Sequence, residues 1–242
     1  MRNILHCDLN NFFASVEMLK RPELRNVPMA VSGDPNKRHG IILAKNQIAK
    51  KYGIYTPETV YSALKKCPNL VLVKPHYDEY QKYSKLVNEI YKKYTDRVEK
   101  FGIDESFLDV TESTNIFGTP YEIAYKIKEE VKQKYNLTIS VGVSFNKSLA
   151  KLGSDLKKPD AITVLDYDNY KDKIYHLPVE MLLYVGKNTK EKLNKMGIKT
   201  IGDLATSNKY RVVKHLGKLG EQIHNYANGL DNEIVKLYYE KE

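Results

Sequence analysis

No stretch of the sequence approaches the roughly 18 consecutive apolar residues that a membrane-spanning helix needs. Met1 runs straight into a strand-like segment, without the basic, apolar and small-residue layout of a signal peptide. The expectation is a soluble, cytoplasmic protein. Cysteine is nearly absent. Cys7 and Cys67 are the only two, too few for a disulfide framework and without metal-ligand spacing, which fits a reducing compartment and two small buried hydrophobes. Acid is in deficit as well: 30 Asp and Glu stand against 39 Lys and Arg, a net charge of +9. Such an imbalance points to a polyanion, either nucleic acid or an anionic membrane surface. The excess is local, because Lys187 to Lys218 carries nine Lys/Arg and two acids. A polyanion site is therefore expected in the C-terminal third.

With 42% hydrophobic residues over 242 positions, the chain can bury cores for two or three compact units. Ile4-Leu5-His6-Cys7 reads as a strand ending at Asp8, and Asn10 or Asn11 can cap a helix from Phe12 to Leu19. Pro22, Pro28, Gly33, Pro35 and Gly40 then punctuate a region of short elements, Met29–Ser32, Ile41–Ala44, Asn46–Tyr52 and Val60–Cys67. This segment behaves as an insertion. Tyr80, Tyr83, Leu86, Val87, Ile90, Tyr91 and Tyr94 recur at helical spacing, predicting a long amphipathic helix over Tyr77–Thr95. Strands follow at Val98–Ile103 and Phe107–Val110, a helix at Tyr121–Tyr135 and a strand at Thr138–Ser144. The order strand, helix, strand, strand, helix, strand is the split βαβ, ferredoxin-like pattern, an α+β fold. A helix (Lys147–Leu156), a strand (Ala161–Leu165) and a Lys-rich, strand-poor helical remainder complete the chain.

In that topology the first and third strands can be neighbours, which would bring Asp8, Asp104 and Glu105 together. Three clustered carboxylates repel one another unless a divalent cation sits between them. A pair of Mg²⁺ ions on such oxygens suits in-line phosphoryl displacement. By spacing alone, Asp8 is more readily a helix-capping or turn residue and Asp104-Glu105 a hairpin turn. Asp109 shares a strand face with Glu105 and Phe107 but lies about 13 Å along the strand, and reads as structural.

Three segments carry a resemblance: His6–Glu17 (HCDLNNFFASVE), Phe101–Val110 (FGIDESFLDV) and Ser140–Pro159 (SVGVSFNKSLAKLGSDLKKP). They resemble the Y-family translesion DNA polymerases, the DNA polymerase IV (DinB-like, impB/mucB/samB) branch in particular. Together with weaker matches between them, they cover nearly the whole chain. The resemblance implies a palm at residues 1–18 and 77–165, inserted small α/β fingers at 19–76, and a helical helix-hairpin-helix thumb at 166–242. It implies Asp8, Asp104, Glu105 and the Leu9 backbone carbonyl as ligands of two Mg²⁺ ions, with Glu105 catalytic. Phe13 matches the steric-gate aromatic that rejects a ribose 2′-hydroxyl by a clash, although periodicity alone would assign Phe12 and Phe13 to the core.

The same resemblance implies nucleotide binding by Asn11, Phe12, Phe13, Gln47, Lys50 and Lys158. Gln47 stands where the family often has Tyr, and Lys50 where it has Arg, so the ring and the bidentate fork are lost while a hydrogen-bonding group and a charge remain. Val185–Leu204 looks like a helix-hairpin-helix, and Leu216–Ile223 like a looser second copy. Gly186, Lys187, Thr189, Lys190, Gly217, Lys218 and Gly220 are the implied DNA contacts, gripping backbone phosphates without reading sequence. A solvated lysine face is the plain alternative, and Tyr184 and Lys187 stand where the family's thumb usually has Pro. The implied partners are primed template DNA, deoxynucleoside triphosphates and, through a part beyond this sequence, a replication sliding clamp. The implied state is a monomer off the membrane. Family members usually continue into a further little-finger domain, whereas this sequence stops at Glu242. The rivals are a nucleotidyl cyclase, which would not need the basic hairpin region, and a DNA-binding homologue with weak catalysis.

Overall fold

The computed structural model describes residues 2–34 and 40–237. Pro35 and the end of the expected thumb, 238–242, lie outside the described residues. In chain order the elements are β1 (Ile4–Leu9), α1 (Phe12–Lys20), β2 (Met29–Ser32), β3 (Ile42–Lys45), α2 (Gln47–Lys51), α3 (Val60–Lys66) and β4 (Val71–Val73). There follow α4 (Tyr77–Tyr91), β5 (Val98–Lys100), β6 (Glu105–Asp109), α5 (Thr114–Phe117), α6 (Pro120–Tyr135), β7 (Ile139–Ser144), α7 (Lys147–Leu156) and β8 (Ile162–Leu165). The remainder is helical: α8 (Tyr170–Ile174), α9 (Lys187–Lys195), α10 (Ile201–Thr206) and α11 (Lys209–Ala227).

The main sheet has five strands in the order β5-β6-β1-β7-β8. β1 runs antiparallel to both β6 and β7, and β8 is added parallel to β7. Without β8 this is the split βαβ arrangement, so the expected fold class holds. Every residue of β1 and of β7 is buried, because the sheet is covered on both faces. One face carries α4 and α6, which contribute Tyr80, Val87, Ile90, Tyr91, Ile123, Ile127 and Val131 to the largest core. The insertion forms its own three-stranded sheet, β3-β2-β4, with separate small cores. Cys7 and Cys67 are free and buried, as their small apolar character predicts.

Helix α7 covers the other face at unusually short range. A Cβ on Gly142 of β7 would lie 1.8 Å from the Ala150 carbonyl oxygen of α7. Only a glycine lets the helix backbone settle there. Asn146 caps α7 by accepting from the Leu149 N–H at 2.9 Å. Leu149 and Leu152 then join Leu165 and the C-terminal helices in a second core.

Several boundaries differ from expectation for local reasons. β5 ends at Lys100 because Gly102, at φ +110, turns the chain, and Phe101 N–H closes the hairpin onto the Glu105 carbonyl. α4 stops at Tyr91, and the Thr95 hydroxyl instead donates to the Asp109 carbonyl at 2.6 Å. Neither Asn10 nor Asn11 caps α1. Asn11 occupies the cap position in a left-handed conformation without a side-chain bond, and the Asn10 amide is engaged by Ser140 and the Asp160 N–H.

The segment after α11 folds back along the sheet. Arg2 donates to the Asp231 and Glu233 carbonyls, Asp231 accepts from the Ser148 N–H, and Lys236 N–H donates to Glu99. Val235, buried, packs with Ile4, Phe107 and Ala150. Among the described residues no helix is long and apolar enough to cross a membrane.

Candidate active site

The antiparallel register pairs Asp8 with Glu105 across β1 and β6, and the Leu9 N–H donates to the Asp104 carbonyl at 3.0 Å. Residues that lie about 97 positions apart in sequence thus meet at one sheet edge by strand pairing alone. Alternation places His6 on the face of Asp8. Asp109, paired with Ile4 at the far end of β6, accepts from the Thr111 N–H and hydroxyl. It is a turn residue, as expected.

Lysines from α7 and the loop after it hold the acids. Lys151 Nζ lies 3.0 Å from Glu105, 3.3 Å from Asp155 and 3.6 Å from Asp8. Lys158 Nζ lies 2.5 Å from Asp8 and 2.8 Å from Asp155. The expected phosphate lysine is therefore turned toward a carboxylate. Asn10 fixes the loop, accepting from the Asp160 N–H at 2.8 Å and donating to Ser140 at 2.9 Å.

Burial dominates the titration of Asp8, pushing its carboxyl up to about 7 despite the attraction of Lys158. Asp104 is raised for the same reason, with Glu105 adding repulsion. For Glu105 burial again raises, but His6 and Lys151 outweigh it and hold the carboxyl at about 2. His6, fully buried, stands 3.3 Å from Glu105 through Nε2, while its Nδ1 bonds the Ser154 hydroxyl at 2.8 Å. Among the described residues no three His, Cys, Asp or Glu side chains are gathered as a ready-made metal cluster.

These acids form one wall of a cleft of about 380 Å³. Leu9, Asn11, Phe12, Phe13 and Lys158 line it from the same side, and Gln47 and Lys50 line it from the insertion. All the anticipated catalytic and nucleotide-contacting residues thus share one space. The Phe13 ring stacks on Tyr80 with centroids 4.1 Å apart and planes 9° apart. Tyr80 is tied by its hydroxyl to buried Glu17 at 2.5 Å, and Phe12 is buried beside it.

Sequence reasoning missed Lys151, Asp155, His6, Asn10, Tyr80 and Lys45, the last also lining the cleft from the insertion. Three of them carried a usable signal. Lys151 and Asp155 are one helical turn apart, and His6 shares Asp8's strand face.

The hairpin residues lie far along the chain, in the helical part. Gly186, Lys187, Gly217 and Lys218 are exposed, and Thr189 and Lys190 are half-buried. Gly217 breaks α11 at φ 60, ψ −142, so the second hairpin copy is a true pair of helices. A Cβ on Gly186 or Gly217 meets no atom within 4 Å, whereas one on Gly220 would lie 2.7 Å from the Val212 carbonyl. Gly220 is buried, so the structure gives it a packing role and does not bring it to the surface beside Gly217. Lys190 is paired with Glu180 at 2.6 Å.

Residues 7–155 match the impB/mucB/samB family model, and residues 183–231 match that of the DNA polymerase-iota thumb domain. The chain is 56% identical over 234 residues to a DNA polymerase IV of Acetivibrio thermocellus, covering 97% of this chain and 59% of that protein. It is 43% identical over 241 residues to a DNA polymerase IV of Clostridium acetobutylicum, covering 97% and 61%. The chain thus spans about three fifths of the curated relatives it matches. Among solved structures, DinB from Sulfolobus solfataricus superposes with a TM-score of 0.88 at 28% identity, over 97% of this chain and 69% of that one. An insertion ternary complex of Dbh DNA polymerase gives 0.89 at 27% identity, over 97% and 69%. With the match extending from the first strand through the helix that carries Lys151, the chain belongs to the impB/mucB/samB family.

Proposed function

We propose that this chain is the catalytic core of a template-directed DNA polymerase of the translesion type, adding a deoxynucleoside monophosphate to a primer 3′-hydroxyl with release of pyrophosphate. The reading divides it into a palm (1–18 and 77–165), fingers (19–76) and a thumb (166–242). The observation that carries it is the pairing of Asp8 with Glu105, next to Asp104, in the cleft that also holds Phe13 and Lys50.

The donor set fits hard divalent cations. Three carboxyl groups and a backbone carbonyl offer only oxygen, and an Asp8 carboxyl that resists ionisation at about 7 is what an added cation would stabilise. Asp8, Leu9 through its carbonyl, Asp104 and Glu105 would hold two Mg²⁺ ions, which when bound would supply Lewis-acid activation of the primer hydroxyl and charge neutralisation of the phosphates. Phe13, braced by Tyr80, excludes the 2′-hydroxyl by occupying its space. Gln47, Lys50 and Lys158, with Asn11 and Phe12 beneath, orient the triphosphate. Gly186, Lys187, Thr189, Lys190, Gly217 and Lys218 grip the backbone of primed DNA. We further assign the chain to the cytoplasm as a monomer, with a replication sliding clamp as a further partner.

Primer extension on a primed template with Mg²⁺ tests the reading. Glu105→Ala is expected to lower the rate by at least about a hundredfold. Undiminished extension by this variant would remove the assignment. A wild-type chain that binds primed DNA but extends nothing, with or without Mg²⁺, would favour a DNA-binding homologue.

A further inference from the structure

The two walls of the cleft differ in how their lysines are matched. On the sheet side Lys151 and Lys158 each meet carboxylates. On the insertion side Lys45, the last residue of β3, and Lys50 of α2 face the same space. Among the described residues neither is held in an ion pair. Lys45 Nζ has the Thr56 hydroxyl as a weak polar neighbour at 3.4 Å. The acid that attracts it, Glu58, already accepts from the Tyr55 N–H at 2.7 Å, the Ser62 hydroxyl at 2.8 Å and Lys66 at 2.8 Å. Burial, and then the like charge of Lys50, lower the Lys45 pKa. A half-buried Lys45 ammonium without a counterion, next to the exposed charge of Lys50, makes a wall that an anion would relieve.

We propose that Lys45 and Lys50 together form a seat for the outer phosphates of the nucleotide in the cleft, Lys45 being a nucleotide-binding residue in its own right. This rests on the polymerase reading above and names the part of the site that takes the polyphosphate. A single ammonium is a point charge without a planar fork. Two of them on adjacent elements can meet oxygens of neighbouring phosphate groups and recover some of that grip. The volume of about 380 Å³ suits a nucleotide rather than a duplex, and Asp8, Glu105 and Phe13 line the same space, so the phosphates are those of a free nucleotide and not of a template backbone.

Equilibrium titration with inorganic tripolyphosphate and with dATP tests the seat in wild type, Lys45→Gln, Lys45→Arg and Lys50→Gln, each checked for an unchanged thermal midpoint. Lys45→Gln is expected to weaken both ligands about five- to tenfold. Lys45→Arg should stay within about twofold of wild type, since charge is retained. Unaltered tripolyphosphate affinity in Lys45→Gln, or no tripolyphosphate binding by wild type, would overturn the seat. So would a Lys45→Gln defect confined to primed duplex, which would assign the ammonium to a template backbone. Loss of tripolyphosphate binding in Lys45→Gln of a chain that extends no primer would support the seat and sink the polymerase reading. Primer extension with an unchanged KM for dATP in Lys45→Gln would do the reverse.

Discussion

Asp8 carries more electrostatic strain than its neighbours: it is buried, touches two lysines and still resists losing its proton. Its folded-state pKa of about 7 lies above the roughly 3.9 of an unfolded chain. The stability tied to the protonated carboxyl is therefore complete below about pH 4 and lost as pH rises through about 7. Asp8→Asn has no proton to lose. In chelator, its melting temperature should exceed that of wild type by a few degrees at about pH 8, with the gap closing toward about pH 5. Calorimetry across that range decides; a wild type that is the more stable at the higher pH would mean that pairing with Lys158 outweighs burial. The expected gain in Asp8→Asn would mean that function is held at a cost in stability, as active sites often are. At this scale the sequence was readable where motifs are long: Asp8, Asp104, Glu105 and Phe13 stood in runs of specific residues. Lys45 and Asn10 were not, because their significance lies in a missing counterion and a cross-loop hydrogen bond, and neither leaves a spacing pattern.

Helix α7 does three jobs with three faces. It lies on β7 through Gly142, sends Lys151 to the acids, and shares Leu149 and Leu152 with the C-terminal core. A methyl at position 142 would overlap the Ala150 carbonyl and crowd the Ser154 N–H at 2.5 Å. Gly142→Ala should cost about 1–3 kcal/mol or more through overpacking. By tilting α7 it should also misplace Lys151 and Lys158, raising the KM for dNTP. Denaturant melts and steady-state extension measure the two effects, and a variant with normal stability would show that the helix yields freely. Helices were located well from the sequence because their apolar positions recur and Asn or Thr caps mark their starts. Edges were located less well where a single residue decides them: Gly102 ends β5, and a run of apolar residues around it looked continuous.

The whole molecule divides its charge by region. The excess lies along 187–218, while the rest of the chain is nearly balanced, and exposed Lys187 and Lys218 flank open glycines. Duplex affinity should fall steeply with salt, and Lys187→Gln with Lys218→Gln should flatten the log–log slope by about two. Filter binding or anisotropy over a salt series measures this, and an unchanged slope would place the DNA elsewhere. Topology was legible because the βαββαβ order admits few sheet arrangements. The return of the chain after α11 was not, since Arg2, Asp231 and Glu233 lie at opposite ends of the sequence and their bonds are to backbone. That return has a mechanical meaning. The helical part leaves the sheet after β8 and is strapped back to it at Ser148, Arg2 and Glu99. Held at both ends, the helical part cannot leave the sheet by loosening one connection alone: the link after β8 and the strap of hydrogen bonds would both have to yield.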